Sequence, residues 1–94
     1  MTTKKAARGE AQDMISKDSI EQTYAFFHQK ERVYSRSTDP AQRDEIEYAI
    51  GMYVQQMSAE LYALLADGRR EYLLTHATFG SDLAQAVARL EGML

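Results

Sequence analysis

The chain has 94 residues, 45% of them hydrophobic and 27% charged, with a net charge of −3, which suits one small globular domain. It contains no cysteine, so disulfide bonds and thiolate chemistry are excluded. The acidic balance argues against general nucleic-acid binding, because affinity for phosphates comes from clustered Lys and Arg. No stretch approaches the ~20 apolar residues of a membrane span. We therefore expect a soluble, cytoplasmic protein.

The N-terminal residues are polar. Residues 1–13 carry no large apolar side chain, which predicts a flexible tail before a single helical domain over residues 14–94. Lys4, Lys5 and Arg8 lie in this tail, but no apolar run follows them, so the pattern does not predict a signal peptide.

A first helix is predicted at about residues 19–35. Asp18 is the expected N-cap, with Glu21 three residues on as in a capping box, and Ser16 is the alternative cap. Large apolar side chains recur on one side at the helical period. They are Ile20, Tyr24, Phe27 and Tyr34.

A long central helix is predicted at about residues 40–66. Asp39 can cap its first turn, Pro40 suits the first helical position, and Gly68 is a natural left-handed C-terminal cap. Its main apolar stripe should form the core. The stripe consists of Ile46, Ile50, Tyr53, Met57, Leu61 and Leu64.

After Gly68 the pattern is less regular. Residues 70–77 are too short an apolar segment to separate a helical turn from buried extended chain, although we favour a helix. A final helix is predicted at about residues 81–93, capped by Thr78 or Ser81. The predicted fold is all-α: a small antiparallel bundle of three helices, or of four if residues 70–77 are helical, with the central helix longest.

A second stripe runs along the central helix, roughly opposite the core stripe. Its helical spacing predicts a contact face for a protein partner or a second copy of the chain, because Tyr and Met suit interfaces. The residues are Tyr48, Met52, Gln55, Ala59 and Tyr62, with Ala66 at the end. In the alternative interpretation the last helix covers this side and the stripe belongs to the core.

Patterns for chemistry are weak. His28 and Glu31 share a helix face, but one such pair is insufficient for a metal site. Asp44, Glu45 and Glu47 indicate a solvated acidic face, with Arg43 placed to pair with Glu47 at i, i+4. No catalytic, cofactor-binding or metal-binding residue is predicted, and an enzyme is not expected.

The leading functional hypothesis is thus a small cytoplasmic helical interaction or adaptor module, acting by helix packing and forming a homodimer. The alternative is a nucleic-acid-associated regulator that contacts phosphates through the basic tail and Lys30, Arg32 and Arg36.

Overall fold

The computed structural model describes residues 15–94, and these form an all-α bundle without strands, as predicted. The elements, in chain order, are α1 Lys17–Arg36, α2 Pro40–Gln56, α3 Ala59–Ala66, a 3-10 helix His76–Thr78, and α4 Phe79–Met93. The predicted flexible tail, residues 1–13, lies outside the described residues.

The cap of α1 is the alternative candidate, Ser16. Its hydroxyl oxygen accepts from the Ser19 amide at 3.0 Å, so the helix begins at Lys17 and Asp18 lies within its first turn instead of capping it. The carboxylate of Asp18 is still favourable there, because the amino end of a helix carries partial positive charge.

The corner between α1 and α2 is held by Arg43. Its guanidinium donates to the Tyr34 carbonyl at 2.7 Å and to the Ser37 carbonyl at 3.0 Å, and lies 3.9 Å from the centre of the Tyr34 ring. The Tyr34 carbonyl also accepts from the Ser37 amide at 3.3 Å, so Arg43 adds a second donor at the end of α1. Asp39 begins α2 as predicted, since its carboxylate accepts from the Ala41 amide at 3.1 Å.

The prediction of one continuous helix over residues 40–66 was wrong. Met57 and Ser58 have extended ψ angles of 170° and 128°, which separate α2 from α3. Ser58 then caps α3: its hydroxyl oxygen accepts from the Leu61 amide at 3.2 Å and its hydroxyl donates to Glu60 at 3.1 Å. The break therefore has a local cause, a serine that satisfies the amino end of a new helix.

The break changes which residues of α3 face the core. Leu61 is buried as predicted, but Leu64 is 54% exposed, and Leu65 and Ala66 are buried in its place. A helix restarted after two extended residues does not keep the rotational phase of the preceding one, so the periodicity of residues 46–57 cannot be carried across.

Residues 67–75 form an irregular loop. The helical interpretation of residues 70–77 was wrong for most of that range, because Glu71 and Leu73 have φ angles of 57° and 66°, and only His76–Thr78 are helical. At the end of α3, Asp67 adopts the left-handed conformation expected of Gly68, which follows it with φ 83°.

All four α-helices and the loop contribute to the core, and α1 and α4 pack against each other more extensively than any other pair of elements. α4 begins at Phe79, two residues before the predicted start. The loop contributes Tyr72 and Leu73, which are as fully buried as the helical residues. The buried hydrophobic residues are Phe27, Tyr34, Ile46, Ile50, Leu61, Leu65, Ala66, Tyr72, Leu73, Phe79, Leu83, Ala86 and Leu90.

Candidate functional site

The break at Met57–Ser58 divides the predicted contact face into two parts with different environments. On α2, Tyr48 is 71% exposed, the highest value among the large hydrophobic residues in the described part of the chain. Met52 and Gln55, one and two turns further on, are also exposed. These three residues form one continuous surface of α2.

The α3 part of the predicted face is not continuous with this surface. The Tyr62 hydroxyl donates to the Tyr72 carbonyl at 2.7 Å, and the two rings make an edge contact with centroids 6.3 Å apart. Burial raises the pKa of Tyr62 above its usual value. Ala66 is buried, while Ala59 is exposed at the start of α3. Tyr62 therefore packs within its own chain and contributes to holding the 67–75 loop.

The loop completes the surface around Tyr48. Leu74 is 51% exposed and lies beside Gly51, where a Cβ would be 3.8 Å from the Leu74 Cδ2 atom. A cleft of about 210 Å³ opens between α2 and the loop. It is lined by Glu47, Tyr48, Gly51, Met52, Gln55, Leu73, Leu74 and Phe79. We call the surface formed by Tyr48, Met52, Gln55 and Leu74, together with this cleft, the Tyr48 face.

Sequence reasoning missed Leu74 as part of this surface. Its position depends on the left-handed residues Glu71 and Leu73, which turn the chain back toward α2. No helical or strand periodicity carries that information, although the run Tyr72-Leu73-Leu74 already marked the segment as one that packs against something.

The predicted phosphate-contacting residues lie along α1. The Lys30 amine lies 5.3 Å from the centre of the Phe26 ring, whereas Arg32 and Arg36 line an open cleft of about 400 Å³ between α1 and the start of α2. Arg43, at the start of α2, donates to the carbonyls of the corner. Contact with nucleic acid stays a prediction, since nothing in the described residues tests it.

The histidines and carboxylates are arranged differently from expectation. His28 stacks on Tyr24 with ring centroids 5.3 Å apart. The predicted Arg43–Glu47 pair was wrong: the Glu47 carboxylate accepts from the Tyr34 hydroxyl at 2.8 Å and contacts the His76 Nδ1 atom, also at 2.8 Å. This hydrogen bond and, to a greater extent, burial raise the pKa of Tyr34.

A buried polar network ties the loop to α4. Asp82 is 1% exposed, and its carboxylate accepts from Arg69 at 2.6 Å, from the Leu73 amide at 3.1 Å and from Thr78 at 3.1 Å. The Tyr72 hydroxyl donates to the Asp82 carbonyl at 3.1 Å. Sequence reasoning assigned no role to Asp82, because its partners lie up to 13 positions away in the chain. The network fixes the loop segment that carries Leu74.

The hydrogen bonds of the Asp82 carboxylate are made within the chain. Each polar atom of Asp82 is satisfied within the chain, and the carboxylate is closed off from solvent.

Comparison of the chain with protein-family models, with curated proteins and with solved structures gave no match. Across residues 15–94, no helix is both long enough and apolar enough to cross a membrane.

Proposed function

We propose that the chain is a small helical interaction module that forms a homodimer through the Tyr48 face, in the cytoplasmic setting expected from its composition. The observation that carries the proposal is the 71% exposure of Tyr48 beside an apolar cleft on the same surface. Its mechanism is helix packing, with Tyr48 as the anchor and no reaction performed.

The composition of the face supports an interface. Tyr and Met are enriched at protein–protein contacts, where Tyr supplies a large apolar area with a hydroxyl for the wet edge and Met adapts to irregular surfaces. Tyr48, Met52 and Leu74 form such an exposed group, whereas Leu64 and Val33 are exposed elsewhere. Single exposed apolar residues are ordinary, but a cluster next to a cleft is typical of contact sites.

A second copy fits this surface for a geometric reason. A two-fold interface uses the same patch on both subunits, so it needs a projecting group and a recess side by side. Tyr48 projects from α2, and the cleft against Leu73, Leu74 and Phe79 is the recess. In a two-fold dimer each Tyr48 enters the cleft of the other chain.

Light scattering coupled to size-exclusion chromatography, over a wide concentration range, tests the proposal. We expect a dimer for the wild-type chain and a monomer for Tyr48→Glu, because the new carboxylate would lose its water in the interface. Since Tyr48 is exposed within the chain, helicity measured by circular dichroism should be unchanged. Leu64→Glu is the matched control: it places the same charge on another exposed apolar residue and should leave the dimer intact.

A wild-type chain that remains monomeric at the highest concentration contradicts the proposal, as does a Tyr48→Glu variant that still dimerises. Tyr62→Glu separates the two parts of the originally predicted face. Because Tyr62 packs on Tyr72, that substitution should lower the free energy of unfolding in addition to any effect on assembly.

A further inference from the structure

Three potential metal ligands converge where α2 meets the 3-10 helix. Asp44 and Glu47 are one turn apart on α2, and His76 begins the 3-10 helix 29 positions later. One ligand atom from each of the three lies within 4.8 Å of the other two. The cluster thus combines two carboxylate oxygens from α2 with an imidazole nitrogen from the 3-10 helix.

Glu47 is held in place within this cluster. Its side chain is only 18% exposed, and the Tyr34 hydroxyl donates to Oε2 at 2.8 Å. Tyr34 is in turn fixed by Phe79, whose ring meets it edge-on with centroids 4.9 Å apart. Hydrogen bonds of this kind, from groups behind the ligands, orient the ligands in metal sites.

His76 supplies the nitrogen. Its Nδ1 atom lies 2.8 Å and 3.0 Å from the two Glu47 oxygens, which is hydrogen-bonding distance. Two ligands of a tetrahedral Zn²⁺ ion lie roughly 3.3 Å apart, so the exposed His76 ring has to move outward by about half an ångström to admit the cation. The side chain is 78% exposed, so a cation reaches this nitrogen from solvent without a change in the core.

We infer that Asp44, Glu47 and His76 form a binding site for a divalent transition-metal cation of the Zn²⁺ type, with water in the remaining position. A mixed nitrogen and oxygen set suits Zn²⁺, whereas Mg²⁺ and Ca²⁺ prefer oxygen ligands alone. Binding inserts the cation between Nδ1 and the carboxylates in place of the direct His76–Glu47 contact. Glu47 also lines the cleft of the Tyr48 face, so the metal site adjoins that surface.

Isothermal titration calorimetry of the full chain with Zn²⁺ tests this inference. We expect one cation per chain and no displacement by excess Mg²⁺. Tyr34→Phe removes only the hydroxyl behind Glu47 and keeps the ring packed, so it should weaken binding by about ten-fold or more. His76→Gln and Asp44→Asn remove ligands directly and should weaken binding further than Tyr34→Phe.

Two matched variants serve as controls. His28→Gln removes the other imidazole of the chain, and Glu45→Gln removes the exposed carboxylate next to Asp44; both should bind Zn²⁺ as the wild type does. Absence of Zn²⁺ binding by the wild-type chain overturns the inference. Unchanged binding by His76→Gln, or loss of binding in His28→Gln, overturns it as well, because the cation would then lie elsewhere.

Discussion

At the residue scale, Asp82 is the most connected polar side chain of the described core. It is almost fully buried and satisfies the Leu73 amide, Thr78 and Arg69 together. Removing a buried, hydrogen-bonded charge is destabilising, because its former hydrogen-bond partners stay buried with neither water nor another partner. The Asp82 carboxylate thus contributes to holding the 67–75 loop, together with Tyr62.

We expect Asp82→Asn to lower the free energy of unfolding by about 1–3 kcal/mol, since the amide keeps the shape but loses the charge and part of the acceptor capacity. Asp67→Asn is the control, because Asp67 is 81% exposed, its contact with Arg89 is at 4.0 Å, and Asn tolerates the left-handed conformation. Urea unfolding followed by circular dichroism measures both. Equal effects of the two substitutions would contradict a special role for Asp82.

Tyr72 makes the free energy of unfolding depend on pH. Burial raises its pKa from 10.0 to about 12. The unfolded chain therefore releases this proton at a lower pH than the folded chain, so stability is complete below pH 10 and falls as the pH rises toward 12. From this residue alone we expect a loss on the order of 1 kcal/mol between pH 9 and pH 11.

Chemical denaturation at pH 9, 10 and 11 measures this slope. Tyr72→Phe should reduce the slope, although it also lowers stability at every pH by removing the hydrogen bond to the Asp82 carbonyl. Tyr48→Phe, at an exposed position, should retain the wild-type slope. A slope unchanged in Tyr72→Phe would show that another group controls alkaline unfolding.

At the element scale, Gly51 makes the interior of α2 less stable than an alanine at the same position would. A glycine inside a helix is destabilising relative to alanine because of its conformational entropy. A Cβ at Gly51 would meet the Leu74 Cδ2 atom at 3.8 Å, an ordinary contact. The close approach that would require glycine is therefore absent.

We expect Gly51→Ala to raise the free energy of unfolding by about 0.5–1 kcal/mol. Gly68→Ala should act in the opposite direction, since its φ of 83° strains any side chain. Urea unfolding at two protein concentrations separates these effects from self-association. Destabilisation by Gly51→Ala would mean that the Leu74 side chain has no room to accept the methyl group.

The helix ends show which boundaries could be predicted from residues close together in the chain. Asp39-Pro40 and the alternative cap Ser16 could be predicted because donor and acceptor lie within three residues of each other, although the leading candidate for the first cap, Asp18, was wrong. The Ser58 cap uses equally local bonds, but the apolar residues around it keep helical spacing, so the periodicity concealed the break. The unbroken apolar periodicity over residues 40–66 was therefore wrongly interpreted as one unbroken helix.

At the scale of the whole molecule, the all-α class followed from amphipathic periodicity, which many residues determine together. Helical spacing placed Tyr48, Met52 and Gln55 on one surface, but neither Leu74 nor the cluster of Asp44, Glu47 and His76 followed from the sequence. Leu74 reaches the Tyr48 face only through two left-handed loop residues, and His76 reaches Glu47 across 29 positions. Contacts between residues so far apart in the chain depend on tertiary packing, which local sequence patterns do not reveal.

The pairing of α1 with α4 has a consequence for the synthesis of the protein. During synthesis α1 emerges before α4, although α4 is its main packing partner. Phe27 and its neighbours on α1 therefore stay without their native cover until residues 79–93 have also been made. A nascent chain halted before residue 79 is thus expected to remain sensitive to protease.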